Sequence, residues 1–170
     1  MVKTEPPSLA TIVARLAHMM EDGELGTGDL AGLRRLDADA PAQPAFWKIM
    51  AGVVAREGPL SATAEGRWAC VLSGMARMAP HHNDRRRPVG RVLAEAGYSE
   101  TRLMRLLRAD WPLLGDHVRR LCGFLASKAE PLDWLEFASF ILSTDPTKSE
   151  EARRRIARDY YSSQPPKEAE

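Results

Sequence analysis

Only two cysteines occur in the 170 residues, and Cys70 and Cys122 stand too far apart for a CxxC redox pair and are too few for a cysteine zinc site. A reducing cytoplasm suits that usage. The N-terminal run Met1 to Pro7 has no apolar signal core, and no stretch approaches the ~20 apolar residues that span a bilayer. The expectation is a cytoplasmic protein with no membrane partner. Chemistry-bearing motifs are missing too: there is no GxSxG elbow, no HExxH and no GxxxxGKS or GxxxxGKT phosphate loop. His81, His82 and Asp84 are neighbours, but adjacent histidines diverge and lack a rigid scaffold, so they read as a solvated loop rather than a metal site. His18 and His117 have no local ligand partners. Without a convergent nucleophile, base or metal set, the chain is expected not to be an enzyme and to need no cofactor. Aromatic residues are sparse at 6%, which leaves few candidates for base-stacking platforms.

What is present is an uneven distribution of charge. The net charge of +1 conceals a middle section, residues 66–128, with 12 Lys/Arg against 5 Asp/Glu, while the flanks 1–65 and 129–170 each carry 6 against 9. Eleven of those twelve central cations are arginine, whose planar fork matches phosphate oxygens. A basic middle between acidic flanks points to a local polyanion site rather than a generally adhesive surface.

Apolar residues recur at spacings of three and four, and no alternation of period two is bounded by hairpin turns, so the fold is expected to be all-α. Ser8 caps a first helix with the stripe Leu9, Ile12, Val13, Leu16 and Met20, and Gly23 to Gly28 breaks it. A short helix from Asp29 to Leu36 leads to a loop through Pro41. Pro44 starts a helix carrying Phe46, Trp47, Met50 and Val54, stopped by Gly58-Pro59. Further helices are expected at Ala62 to Ala79, Val89 to Ala96, Ser99 to Asp110, Pro112 to about Ala129, Pro131 to Ser143 and Pro146 to about Ser162. This makes a compact bundle of eight to nine helices in two small lobes, residues 1–80 and 89–163. A mobile basic loop at 81–88 joins them, and a frayed tail follows at 164–170.

The segment Ser99 to Arg108 sorts its side chains by helical geometry. With Arg102 at zero and about 100° per residue, Arg105 and Arg108 fall near ~300° and ~240°, while Leu103, Met104, Leu106 and Leu107 lie between ~40° and ~200°. One face packs and the other presents three guanidinium groups with no carboxylate beside them, which calls for a partner outside the helix. A solvated face, or carboxylates from a neighbouring helix, would account for one such helix alone. The pattern recurs, however. In the next long helix Leu114, Val118, Leu121 and Leu125 form a buried stripe and leave Arg119 and Arg120 on its flank. Arg91 and the run Arg85, Arg86, Arg87 add four more. Nine arginines between 85 and 120 face four acids, an electrostatic footprint suited to a nucleic-acid backbone. Phe46, Trp47, Trp68, Trp134, Phe137 and Phe140 occupy stripe positions and are assigned to the core, so backbone contact without base readout is expected. Glu150 and Glu151 complement the dipole of the last helix, the cluster Arg153, Arg154, Arg155 and Arg158 stays open between phosphate, partner and these glutamates, and Tyr160 and Tyr161 are expected to pack.

Gly90-Arg91-Val92-Leu93-Ala94-Glu95-Ala96-Gly97, then Glu100-Thr101-Arg102, then Leu106-Leu107-Arg108-Ala109-Asp110 resemble the central motif of the CasB family, the small subunit of the type I-E CRISPR surveillance complex, Cascade. Val118-Arg119-Arg120-Leu121 and Leu132-Asp133-Trp134 follow in the expected order. Upstream, Leu33-Arg34-Arg35 and Pro44-Ala45-Phe46-Trp47 are similar to the family's N-terminal signature, so the resemblance spans about residues 30 to 160. It implies a helical subunit present in two copies, self-associated head to tail. Its implied partners are the large subunit and the repeated backbone subunits with their guide RNA, and the target and displaced DNA strands, held along a basic path. By position Arg34, Arg35, Arg102, Arg108, Arg119 and Arg120 match basic positions of the family. Arg105 enters from helix geometry alone, and Arg85 to Arg87 fall where the family varies.

Two other readings remain open from the residues. Leu93 to Leu103 has the helix, glycine-bearing turn and second helix of a helix-turn-helix regulator, although Arg105 and Arg108 lie beyond the portion that reads bases, and no Asn or Gln is there for adenine. A purely structural helical adaptor would pair the arginine face with an acidic protein and would have no affinity for nucleic acid.

Overall fold

The computed structural model describes residues 5–38, 42–54 and 58–166. Pro41, residues 55–57 and the last four residues of the expected frayed tail lie outside the described residues. Among the described residues the chain forms nine α-helices: α1 (Leu9–Glu21), α2 (Thr27–Arg34), α3 (Pro44–Ile49), α4 (Ala62–Met78), α5 (Val89–Glu95), α6 (Glu100–Arg108), α7 (Leu113–Ser127), α8 (Trp134–Leu142) and α9 (Pro146–Ser162). A π-helical turn at Met50–Val54 continues α3. The all-α class and the helix order agree with the sequence expectation. Start signals are spelled out locally: the side chains of Ser8, Ser61, Ser99, Asp133 and Asp145 each accept a backbone N–H from the first turn of α1, α4, α6, α8 and α9. Each such cap is worth about 1 kcal/mol.

Helix α4 is the axis of the fold. It is buried almost continuously from Trp68 to Met78 and packs against α7, α2 and α8. One hydrophobic core therefore takes Leu16 and Phe46 from the N-terminal side and Leu121, Trp134 and Phe137 from the C-terminal side. The expected boundary near residue 80 does not divide two cores, because α4 lends its faces to both halves. Helices α5 and α9 cross where Gly90 has no side chain. A Cβ there would lie 2.1 Å from the Ile156 carbonyl oxygen and 2.7 Å from the Tyr160 backbone nitrogen. Gly97, at φ 77°, makes the left-handed turn from α5 into α6 that other residues resist.

Four expectations need correction. The 81–88 segment, read as a mobile basic loop, is pinned to the α7–α8 connection: the amide of Asp84 donates to the Leu132 carbonyl (2.9 Å), that of Asp133 to Arg87 (2.8 Å) and that of Trp134 to the Asn83 side chain (3.1 Å). This pairing holds residues 131–133 extended, so α8 begins at Trp134 rather than Pro131. His82, read as solvated, is fully buried and its Nδ1 lies 3.1 Å from the Pro80 carbonyl oxygen. Trp47, assigned to the core, is 47% exposed. Helix α3 buries Ala45, Phe46 and Ile49, and position 47 is a quarter-turn from that stripe, with its ring edge-on to Phe46 at 4.9 Å.

Candidate nucleic-acid interface

Helix α6 is short, capped by Ser99 and strongly two-sided. Leu103, Leu106 and Leu107 are buried, whereas Arg102, Arg105 and Arg108 are exposed on the opposite face. Beside it, α7 buries Leu114, Val118, Leu121 and Leu125, and presents His117, Arg120 and Phe124 toward α6. Those three stand at i, i+3 and i+7, one helical face. The two helices frame a groove made of two depressions. One is lined by Tyr98, Arg102, Arg105, His117, Arg120 and Phe124, and the other includes Met104, Arg105, Arg108, Leu113 and His117. Arg105 and His117 stand at the shared wall.

Ion pairing divides the nine central arginines into two classes. Arg87 bridges Glu130 (2.7 Å) and Glu95 (3.5 Å), Arg91 bonds Glu95 (2.8 Å), and Arg119 reaches Asp116 (3.4 Å). Arg85 meets Asp133 and Arg86 meets Asp84, each at 3.4 Å. The guanidinium of Arg91, and after it that of Arg87, holds the Glu95 carboxyl below its ordinary range. By contrast, among the described residues no carboxylate lies within ion-pairing distance of the side chains of Arg102, Arg105, Arg108 or Arg120. These four are the ones gathered at the groove. Their charges are exposed, unneutralised and mutually repelling, which favours an anion there.

The remaining predicted positions lie elsewhere. Arg34, at the end of α2, donates its Nε to the Ala76 carbonyl (2.9 Å) and so braces α2 on α4. Arg35 is exposed next to it, and neither lines the groove. In α9, Arg153 donates to the Ala109 carbonyl and to Asp110, both at 3.3 Å, and Arg154 pairs with Glu150 (3.0 Å). Tyr160 is buried, as expected of a packing residue, and donates to the Tyr98 carbonyl (2.6 Å). Tyr161 is 47% exposed and donates to Glu100 (2.8 Å) at the start of α6.

Sequence reasoning missed His117, Tyr98 and Phe124. The spacing of 117, 120 and 124 was the available signal for α7, but nothing in the sequence placed Tyr98 opposite Phe124. Arg67 was also passed over. It donates to the Ile141 carbonyl (2.6 Å), closing the end of α8, and its guanidinium lies 5.0 Å from the centre of the Trp111 ring. Among the described residues no group of three or more His, Cys, Asp or Glu side chains converges in a way that would hold a metal ion. Among the described residues no helix is long and apolar enough to cross a membrane.

Comparison with known proteins places this geometry in a family. The chain superimposes on CasB from Thermobifida fusca with a TM-score of 0.67 at 16% identity, covering 90% of this chain and 97% of the other. It superimposes equally, at a TM-score of 0.67 and 24% identity, on a chain in the crystal structure of E. coli Cascade bound to a PAM-containing double-stranded DNA target, covering 89% and 97%. At these identities the likeness is one of fold. No curated protein sequence matches. The family model for the CRISPR-associated protein Cse2 matches residues 29–161, which contain α2 but for its first two residues, α3 to α8 in full, almost all of α9 and both walls of the groove. The chain therefore belongs to the CRISPR-associated Cse2 family.

Proposed function

We propose that this protein is the non-catalytic small subunit of a type I-E Cascade, stabilising the R-loop by holding the displaced and target DNA strands through arginine–phosphate contacts. The observation that carries the reading is the gathering of Arg102, Arg105, Arg108 and Arg120 around one groove with no carboxylate partner among the described residues. The family supports it, as does the solved complex of the E. coli relative with a DNA target. Its partners are then the large subunit, the repeated backbone subunits with guide RNA, both DNA strands and a second copy of itself arranged head to tail.

The physical logic is differential affinity. Opening a duplex against a guide is a near-balanced exchange, so modest backbone contacts tip it. A surface that binds the separated strand and not the closed duplex stabilises the open state by that difference. Phosphate contacts act on any sequence, as a guide-programmed system requires. A helix-turn-helix reading is less well supported, because the first turn of α6 is engaged by Tyr161 of α9 through Glu100, where a recognition helix would approach bases.

The test is single-strand affinity across a salt series. Each phosphate contact on a single strand contributes about 0.7 to the slope of log K against log salt, so Arg102→Ala, Arg105→Ala and Arg108→Ala together flatten it by about 2. Arg85→Ala, Arg87→Ala and Arg91→Ala together remove cations already paired with protein carboxylates, so they change the slope little and lower stability instead. An unchanged slope in the first variant removes the groove from the mechanism. No affinity in the wild type leaves the adaptor reading.

A further inference from the structure

The groove between α6 and α7 is not uniformly cationic. Tyr98 and Phe124 lie with ring centroids 5.3 Å apart and planes inclined by 58°. Phe124, half-buried, lines a depression of about 410 Å³ with Arg102, Arg105, His117 and Arg120, while Tyr98, only 4% exposed, backs the Phe124 ring at its floor. Tyr98 is held from behind: its amide donates to the Leu93 carbonyl (2.9 Å), and its own carbonyl accepts the Tyr160 hydroxyl (2.6 Å). Its hydroxyl has no hydrogen-bond partner among the described residues. Burial pushes that hydroxyl above its ordinary range, against the pull of Arg102 and Arg120, so it stays a donor. The Lys128 ammonium lies over the Phe124 ring, 5.3 Å from its centre, a cation–π contact on a long and flexible side chain.

A phosphate accounts for the arginines but not for the half-buried Phe124 ring that shares their depression, since an anion gains nothing from the negative face of a ring. A planar heterocycle accounts for both. It stacks on aromatic rings and guanidinium planes, and its edge takes hydrogen bonds from arginine N–H, tyrosine O–H and imidazole. Bases of a closed duplex are stacked inward and cannot enter such a site without being turned out.

We propose that this depression seats one unpaired nucleobase, with the flanking phosphates on the surrounding arginines, so that the groove selects single-stranded nucleic acid over duplex. The inference rests on the strand-holding reading above and adds a base contact to it. It replaces the expectation of backbone contact alone.

The experiment uses the full chain and three fluorescently labelled probes of one length: a single strand, the same strand built of abasic sites, and a matched duplex. The two single strands carry the same phosphates, so their affinity ratio isolates the bases. Stacking of one base corresponds to an expected preference of about 5- to 100-fold for the base-bearing strand. Phe124→Leu keeps an apolar side chain against Tyr98 and should cut that preference about 3- to 10-fold, with affinity for the abasic strand and its salt slope preserved. Trp47→Leu, at an exposed aromatic away from the groove, should leave the ratio unchanged. Equal, salt-sensitive affinity for both single strands would overturn the base seat while leaving the phosphate reading standing. A preference that survives Phe124→Leu would overturn this location. No binding to any probe would overturn both readings, and the wild-type comparison decides even if the variant is unstable.

Discussion

The crossing of α5 over α9 is the closest helix contact in the molecule that a single methyl group can probe. In Gly90→Ala the new Cβ would sit 2.1 Å from the Ile156 carbonyl oxygen and 2.7 Å from the Tyr160 nitrogen. Both are backbone atoms, so no side chain can rotate away. Relief requires α9 to retreat by about 1 Å, which opens gaps around the buried Ile156 and Tyr160. Overpacking of this kind costs about 3 kcal/mol, with lost contacts pushing the figure upward. For a domain of this size that corresponds to a fall in Tm of about 6–12 °C. Retreat of α9 also strains the hydrogen bond from Tyr160 to the Tyr98 carbonyl, so the lining of the groove should loosen with it. Urea unfolding measures the loss, with Gly123→Ala as the control. Gly123 is exposed within α7 and a Cβ there meets nothing within 4 Å, so that substitution should stabilise by about 0.5–1 kcal/mol. Wild-type stability in Gly90→Ala would refute the close crossing.

Three further outcomes are expected. Burial lowers the pKa of His82, so below the ordinary histidine range the unfolded chain binds a proton that the folded one refuses. Stability should fall as pH drops through that window and on through the lowered folded value, and the slope should flatten in His82→Asn when unfolding free energy is compared at pH 7 and 5. Burial pushes the Cys70 thiol up to about 12 and Cys122 well above its ordinary value, so both should resist a disulfide reagent at pH 8 in the native protein and react once it is unfolded. Ser99→Ala removes the side-chain acceptor for the Arg102 amide (3.3 Å) and should cost about 1 kcal/mol, with hydrogen exchange rising first in the opening turn of α6.

Helix positions were legible because caps and apolar spacing are local. Ser8, Ser99 and Asp145 stand directly before the helices they start, and the stripe Leu114, Val118, Leu121, Leu125 is buried as its period requires. Trp47 misled because it neighbours a buried phenylalanine, while the turn that decides its exposure is set by how α3 docks on α2 and the π-helical turn.

By itself the sequence determined an all-helical chain with an arginine face on α6, since periodicity and side-chain charge are properties of one segment. Only the tertiary structure decided which arginines remain available. Arg87 is neutralised by Glu130 and Arg85 meets Asp133, partners more than forty residues away, while Arg102, Arg105, Arg108 and Arg120 meet no carboxylate among the described residues. The pairing of Tyr98 with Phe124 likewise exists only once α7 lies beside α6. Charge and stacking act across a few ångströms of space, and only the packing of the helices fixes which residues share that space.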